Sequence, residues 1–283
     1  MTVDEVRLSA AAGARPAGRV TAVLERPGAR LVYEVTGDGP AVVLIHGFGL
    51  DMRMWDPQVE PLAARFRLVR YDCRGFGASG PFDPAVPYTH ADDLVALLDH
   101  LGIGDAVLAG LSFGGRVALQ TVLADPARVR GLALLDAVLD GVPWDPDSAR
   151  ALDEVTRQVQ AGGVLAGRAA WLAHPLFAAA RQRPDLAGKL AAMVAGYPGQ
   201  HWLGQDSHLQ TRPPIDVLEG VIAPVLVAVG ERDVPGFREM SAVLARRIPG
   251  AEYRVVTDAG HMINMEQPAA VSELLTRFVQ WTR

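Results

Sequence analysis

The chain has 283 residues, 49% of them hydrophobic, and a formal net charge of −5 from 27 basic and 32 acidic residues. This length and apolar content are sufficient for one large core, and the acidic balance argues against a nucleic-acid surface, which requires a basic face. Cys73 is the only cysteine, so the chain can form neither an internal disulfide nor a cysteine zinc site.

The N-terminal segment carries charge where a secretory signal would be apolar. Residues 1–18 contain acidic residues and arginines, and we expect this segment to be flexible. No apolar run in the sequence approaches the roughly 20 residues of a membrane-spanning helix. We therefore expect a cytoplasmic protein whose partners are neither membranes nor nucleic acids.

Short apolar runs alternate with longer helical patterns, which is typical of a mostly parallel sheet covered by helices. RVTAVLE and RLVYEVTG, joined by ERPGAR, predict a hairpin, and buried strands follow at residues 41–47 and 66–72. The segment HADDLVALLDHLGI predicts a helix because its apolar residues recur at helical spacing. The remaining predicted strands are DAVLAGL, VRGLALLD, PVLVAVGERD and AEYRVVTDAG, and the remaining predicted helices are FGGRVALQTVLADP and PAAVSELLTRFVQWTR.

This alternation is interrupted between residues 138 and 214, where the chain is rich in alanine and arginine and has no strand-like run. We interpret this segment as a helical cap inserted into a core formed by residues 19–137 and 215–283. Extra helices that pack a small core of their own would give the same pattern. The candidate substrate-pocket residues in the segment are Trp144, Trp171, His201 and Trp202.

A serine lies at the junction between a predicted strand and a predicted helix. Gly110, Ser112 and Gly114 match G-x-S-x-G, a sharp turn that exposes the serine hydroxyl at the end of a strand. The helix that follows favours negative charge next to this serine. The motif alone fits either a nucleophile or a small residue that lets a strand turn into a helix.

A serine hydroxyl requires a base, and the base requires an orienting acid. Asp233 follows the predicted strand PVLVAVG, and His261 lies in a glycine-containing loop after the last predicted strand, giving the chain order serine, acid, histidine. Asp136 also ends a predicted strand and is the alternative acid. We favour Asp233.

The loop HGFG supplies the next requirement, a pair of backbone N–H groups for an oxyanion. This loop follows a predicted strand, and the candidate donors are the amides of Phe48 and of Phe113, the residue after the serine. His46 is expected to hold the loop by hydrogen bonds.

Two further patterns in the sequence are candidates for cofactor or metal binding. Residues 75–80 match the dinucleotide pattern G-x-G-x-x-G, but PFDPAVPY follows, and its three prolines prevent the helix that such a site requires. His201 and His208 lack the spacing of a zinc site. The sequence therefore predicts no cofactor and no metal.

Taken together, these motifs resemble those of the α/β-hydrolase superfamily. The segments HGFG, YDCRGFGASG, GLSFGG, GERD and AGHMINMEQP occur in the family's order, and the resemblance extends from about residue 21 to residue 283. It implies an eight-stranded, mostly parallel sheet with helices on both faces, a helical cap and no cofactor. It also implies roles for the candidate residues: Ser112 as nucleophile, His261 as general base and acid, Asp233 as orienting acid, and Phe48 and Phe113 as oxyanion donors.

Within the superfamily, the sequence is most similar to bacterial enol-lactonases and small carboxylesterases, and its serine disfavours relatives with an aspartate nucleophile. The resemblance implies a serine hydrolase that cleaves an apolar carboxylic ester or lactone through an acyl-enzyme. The alternatives are a hydrolase of carbon–carbon bonds in ring-cleavage products, a biosynthetic acyltransferase, cyclase or lyase, and a non-catalytic small-molecule receptor. The oligomeric state stays open.

Overall fold

The computed structural model describes residues 18–209 and 214–282. Within these ranges, one eight-stranded sheet has the strand order β1-β2-β4-β3-β5-β6-β7-β8. Its strands are Val20–Arg26 (β1), Ala29–Thr36 (β2), Ala41–Ile45 (β3), Arg67–Tyr71 (β4), Ala106–Leu111 (β5), Val129–Leu135 (β6), Val225–Gly230 (β7) and Glu252–Val256 (β8). β2 is antiparallel to both neighbours and all other neighbours pair in parallel, which confirms the predicted sheet.

Helices connect the parallel strands. They are Asp56–Ala63 (α1), His90–His100 (α2), Phe113–Ala124 (α3), Pro146–Ala173 (α4), Ala178–Arg181 (α5), Pro184–Gly196 (α6), Pro235–Arg247 (α7), Ile263–Glu266 (α8) and Pro268–Trp281 (α9). The patterns above do not single out α1 or α7. α1 is short and contains Pro61, and α7 begins at Pro235, directly after the loop that carries Asp233.

Both faces of the sheet are covered, because successive residues of the central strands point in opposite directions. In β3, Val42 and Leu44 belong to one buried cluster, whereas Val43 and Ile45 belong to the other. β3 and β5 are buried along their whole length, as expected for central parallel strands. Helices therefore lie on both faces, as predicted.

The parallel strands bring four polar side chains to one edge of the sheet. Ser112 follows β5, Asp136 follows β6, Asp233 lies three residues beyond β7, and His261 lies five residues beyond β8. β5, β6, β7 and β8 are consecutive neighbours in the sheet. Because the carboxyl ends of parallel strands meet at the same edge, this topology gathers the candidate residues.

The chain between β6 and β7 is helical and includes α4, α5 and α6. We call residues 138–209 the insertion; residues 210–213 of the predicted cap lie outside the described ranges, as do residues 1–17 of the N-terminal segment predicted to be flexible. α4 bends at Gly163, whose φ of 69° interrupts the helical conformation. The predicted domain boundaries at 138 and 214 remain predictions.

The helices of the described ranges differ in length and apolar content. None of these helices is both long and apolar enough to cross a bilayer.

Candidate active site

Ser112 occupies a strained turn between β5 and α3. Its φ of 56° lies in the left-handed region, which non-glycine residues rarely adopt. The turn is held by backbone hydrogen bonds: Ser112 N donates to Leu135 O at 2.9 Å, and Val138 N donates to Ser112 O at 3.1 Å. Strain of this kind persists only where surrounding structure enforces it, and it is concentrated at functional sites.

The two glycines of the motif allow three backbone segments to approach closely. A Cβ atom on Gly110 would lie 2.1 Å from Gly114 O, and one on Gly114 would lie 2.1 Å from Ile45 O. Neither distance is sterically acceptable. A side chain at Gly110 would push the end of β5 away from the start of α3, and one at Gly114 would push the start of α3 away from the end of β3.

His261 and Asp233 form a buried hydrogen-bonded pair. His261 Nδ1 lies 2.8 Å from Asp233 Oδ2, and both side chains are at most 3% exposed. The other Asp233 oxygen, Oδ1, accepts a hydrogen bond from Val234 N at 2.7 Å. The pairing orients the imidazole so that its other nitrogen, Nε2, is free to act on a neighbouring group.

The loop that carries His261 is fixed by a buried acid for which the sequence interpretation assigned no role. Glu266, 3% exposed, accepts hydrogen bonds from Gly260 N at 2.7 Å and from Met262 N at 3.1 Å, the amides on either side of the histidine. The one available sequence signal was its position five residues after His261 within AGHMINMEQP.

Ser112 and His261 line the same small cavity, together with Phe48 and Trp171. The amides of Phe48 and Phe113 donate no hydrogen bond to any described residue. Phe113 is the first residue of α3, where an N–H group has no partner within the helix. Two amides are therefore free near the serine, on the two loops that the sequence singled out.

His46 holds the first of these loops, as the sequence led us to expect. Its Nδ1 lies 2.8 Å from Gly47 O, and its Nε2 accepts a hydrogen bond from Cys73 N at 2.9 Å. Complete burial lowers the pKa of His46. The ring is thus neutral, with its proton on Nδ1, and both of its nitrogens are used for structure.

Asp136, the alternative acid, lies beside the hydrogen-bonded pair of His261 and Asp233. One oxygen each of Asp136 and Asp233 and one nitrogen of His261 lie within 4.8 Å of one another. Burial, then the charge of Asp233, raises the pKa of Asp136 well above its ordinary value. The hydrogen bond to His261 is nevertheless made by Asp233.

The same three side chains are the group that a metal ion would use. His261 Nδ1 and Asp233 Oδ2 are, however, 2.8 Å apart, which is the spacing of a direct hydrogen bond. A shared cation would require these two atoms to separate, so the observed arrangement fits a proton better than a metal.

A cavity of about 270 Å³ extends from Ser112 beneath the insertion. Its lining residues are Phe48, Ser112, Phe113, Arg116, Val138, Trp144, Leu152, Val155, Thr156, Trp171, Leu176 and Trp202. Arg116 alone among these described residues carries a charge, and its Nε lies 3.3 Å from Asp140 Oδ2, which offsets that charge. The three predicted pocket tryptophans are therefore brought together in one apolar wall.

His201, the fourth predicted pocket residue, does not line this cavity. Its ring stacks on Phe76 with centroids 4.6 Å apart, and its Nδ1 lies 2.8 Å from the hydroxyl oxygen of Tyr197. Burial lowers the pKa of His201 to about 4, so the ring is neutral at physiological pH. The His201 ring therefore packs against Phe48, and its predicted role in the substrate pocket stays a prediction.

The glycine-rich segment 75–80 is a structural loop, consistent with the rejection of a dinucleotide site. It contains only a short 3-10 turn, and the Asp72 carboxylate accepts a hydrogen bond from Ala78 N at 2.7 Å. Because this loop amide already binds the Asp72 carboxylate, a phosphate at the same position would meet a like charge.

The chain belongs to the α/β-hydrolase fold family, whose profile matches residues 40–268. Its similarity to esterases and lactonases identifies it as an α/β-hydrolase enzyme.

Three relatives illustrate this similarity. RutD of Azorhizobium caulinodans, provisionally named a carbamate hydrolase, is 32% identical over 262 residues, or 88% of this chain and 95% of RutD. A thermophilic esterase from Thermogutta terrifontis is 32% identical, with a TM-score of 0.76 over 94% of this chain and 99% of the esterase. The enol-lactonase from Burkholderia xenovorans LB400 is 26% identical, with a TM-score of 0.78 over 92% of this chain and 100% of the lactonase.

Proposed function

We propose that the protein is a serine hydrolase that cleaves an apolar carboxylic ester or lactone of modest size through an acyl-enzyme. The observation that carries this proposal is the convergence at one pocket of Ser112, the His261–Asp233 pair and two unused backbone amides. A receptor would need the cavity but would have no use for the strained serine or for the paired histidine.

In this mechanism Ser112 Oγ attacks the substrate carbonyl while His261 Nε2 accepts its proton. The N–H groups of Phe48 and Phe113 bind the oxyanion, and Asp233 stabilises the imidazolium. Transfer of that proton to the leaving alkoxide leaves an acyl-serine. A water molecule, deprotonated by His261, then attacks the acyl carbon, and the proton returns to Ser112 as the acid is released.

The pocket wall supports an uncharged substrate. Its tryptophans and aliphatic side chains favour apolar groups, and the charge of Arg116 is offset by Asp140. Two of the relatives described above are an esterase and an enol-lactonase, which supports an acyl carbonyl as the reacting group. We further propose that residues 138–214 act as a cap whose inner surface selects the substrate.

Replacement of the serine tests this proposal. We expect Ser112→Ala to remain folded and to lose p-nitrophenyl ester hydrolysis by about 10⁴-fold or more, because the whole triad acts through this oxygen. Wild-type turnover by the variant would refute the mechanism.

A substrate panel of esters, lactones and vinylogous diketones, assayed on both proteins, would define the reaction. Ester or lactone turnover that depends on Ser112 supports the proposal. Exclusive cleavage of the diketones, or acyl transfer to an alcohol without hydrolysis, would contradict it.

A further inference from the structure

Asp136 is a buried acid that the proposed mechanism does not use. Its side chain is fully buried, and Oδ1 accepts a hydrogen bond from Gly230 N at 2.8 Å. Its second oxygen, Oδ2, is buried and has no hydrogen-bond partner among the described residues. An unpaired buried carboxylate oxygen is costly, so this atom calls for an explanation.

Asp233 supplies that explanation, because its carboxylate is the neighbouring acceptor. If the neighbouring carboxylates of Asp136 and Asp233 were both ionised, they would repel each other inside the protein. One proton shared between them removes the repulsion. Asp233 already accepts hydrogen bonds from Val234 N and His261 Nδ1. Asp136 accepts only one from the described residues, that of Gly230 N, so the geometry favours Asp136 as the donor.

We propose that Asp136 is a protonated carboxylic acid whose Oδ2–H donates a hydrogen bond to Asp233, and that Asp136 is thereby a positioning residue for the His261–Asp233 pair. This inference rests on the proposed function. It gives the buried carboxylate pair a single negative charge beneath the imidazole. It also gives Asp233 a third donor, which fixes the plane of its carboxylate while Oδ2 receives the histidine.

The surrounding charges agree with this protonation. The titratable groups that face Asp136 are Asp233 after β7, His261 after β8 and Glu266 in α8. Burial, then the charges of Asp233 and Glu266, raise the pKa of Asp136, whereas the hydrogen bond from the Gly230 amide lowers it. The raised pKa agrees with a proton held on Asp136.

The backbone at this position also sets the choice of test variants. Asp136 has a φ of 43°, a region that asparagine and aspartate tolerate better than other side chains. Asparagine has the shape of a protonated aspartate, so its oxygen can face Gly230 N and its NH₂ group can face Asp233. Alanine removes both contacts and adds backbone strain. Asp258, exposed and with a φ of 57°, provides a control for that strain through Asp258→Ala.

The first experiment compares Asp136→Ala and Asp136→Asn in p-nitrophenyl ester hydrolysis. We expect Asp136→Ala to lower kcat by about 10–100-fold at nearly constant KM and to shift the acid limb of the kcat/KM pH profile. We expect Asp136→Asn to recover most of the lost kcat and the wild-type acid limb. Asp136→Asn as impaired as Asp136→Ala, or Asp136→Ala with unchanged kcat and pH profile, would overturn the proposal.

The second experiment does not depend on turnover and remains informative if Asp136→Ala fails to fold. Infrared spectroscopy of the wild-type protein at neutral pH should show the C=O band of a protonated carboxylic acid, and Asp136→Asn should lack it. If that band is missing from the wild type, the proposal is wrong. Activity of Ser112→Ala would refute the proposed hydrolase mechanism while leaving the band in place, so the two failures are distinguishable. Loss of wild-type activity in EDTA, restored by a divalent metal, would overturn the shared proton in favour of a cation.

Discussion

The catalytic edge of the sheet and the wall of the pocket above it are held by different forces. At the edge, the carboxylates of Asp233 and Glu266 accept hydrogen bonds from backbone amides and fix the imidazole of His261. In the wall, Trp171 is held by packing, and its Nε1 has no hydrogen-bond partner among the described residues. We infer that the edge tolerates little displacement, whereas the wall can be repacked at modest cost.

The edge can be disturbed without a change in the His261–Asp233 pair itself. Glu266→Gln keeps the size of the side chain but turns an NH₂ group toward one of the two backbone N–H groups that donate hydrogen bonds to Glu266. Because two donors then face each other in a buried site, we expect kcat/KM for a p-nitrophenyl ester to fall by about 30–100-fold.

The exposed Glu273 provides the matched control. Glu273→Gln alters only a surface ion pair with Arg277, and we expect its activity to stay close to that of the wild type. A folded Glu266→Gln variant with wild-type kcat/KM would show that the histidine loop does not depend on this acid.

Acid should weaken the insertion through His174. The side chain is 1% exposed, its Nδ1 accepts a hydrogen bond from Leu176 N at 3.2 Å, and burial lowers its pKa from 6.5 to about 4. A lowered pKa stabilises the fold above pH 6.5, and this contribution is lost as the pH falls toward 4. We expect His174 to account for about 2 kcal/mol of the decrease in unfolding free energy over that interval.

His174→Asn tests this contribution, because asparagine still caps Leu176 but does not titrate. Urea unfolding at pH 7 and pH 4.5 should show a smaller difference for this variant than for the wild type. His100→Asn, which replaces an exposed histidine of α2 and removes its contact with the Tyr33 hydroxyl, is the comparison variant outside the insertion. An unaltered pH dependence in His174→Asn would contradict the assignment.

The smallest expected effect is a change in substrate preference from the wall. Trp171→Phe removes an indole N–H that has no partner among the described residues, and it enlarges the pocket beside Phe48 and Leu176. We expect the ratio of kcat/KM for a long-chain to a short-chain p-nitrophenyl ester to rise about 3-fold, with little change in kcat.

Trp281, which is 64% exposed in α9, supplies the corresponding control. Trp281→Phe should leave the ratio of long-chain to short-chain turnover unchanged. Equal ratios for Trp171→Phe and the wild type would remove Trp171 from the substrate-selecting surface.

The sequence predicted the sheet and the core of the candidate site because both depend on local signals. Continuous apolar runs predicted the buried strands, and the glycines around Ser112 predicted a turn whose close contacts no other residue allows. The helix α4 was anticipated only as part of a helical segment, and its bend at Gly163 was not predicted.

What the sequence could not predict was distance across the sheet. Asp136 and Asp233 were weighed as alternatives, yet β6 and β7 are neighbours and place both acids at one point. The packing of His201 against Phe48 and Phe76 could not be predicted either, because ring contacts between distant segments depend on the tertiary fold. Glu266 was missed because a glutamate after a histidine resembles an ordinary surface residue until its burial is known.

The attachment of the insertion has a consequence for engineering and divergence. It leaves the sheet after β6 and returns at β7, and these strands pair directly, with Leu132 opposite Val225. Because the two strands are parallel, the chain leaves β6 at the edge of the sheet that carries Ser112 and enters β7 from the opposite edge. A related segment grafted between these strands must therefore still cross the sheet from one edge to the other, whatever the length of its helices.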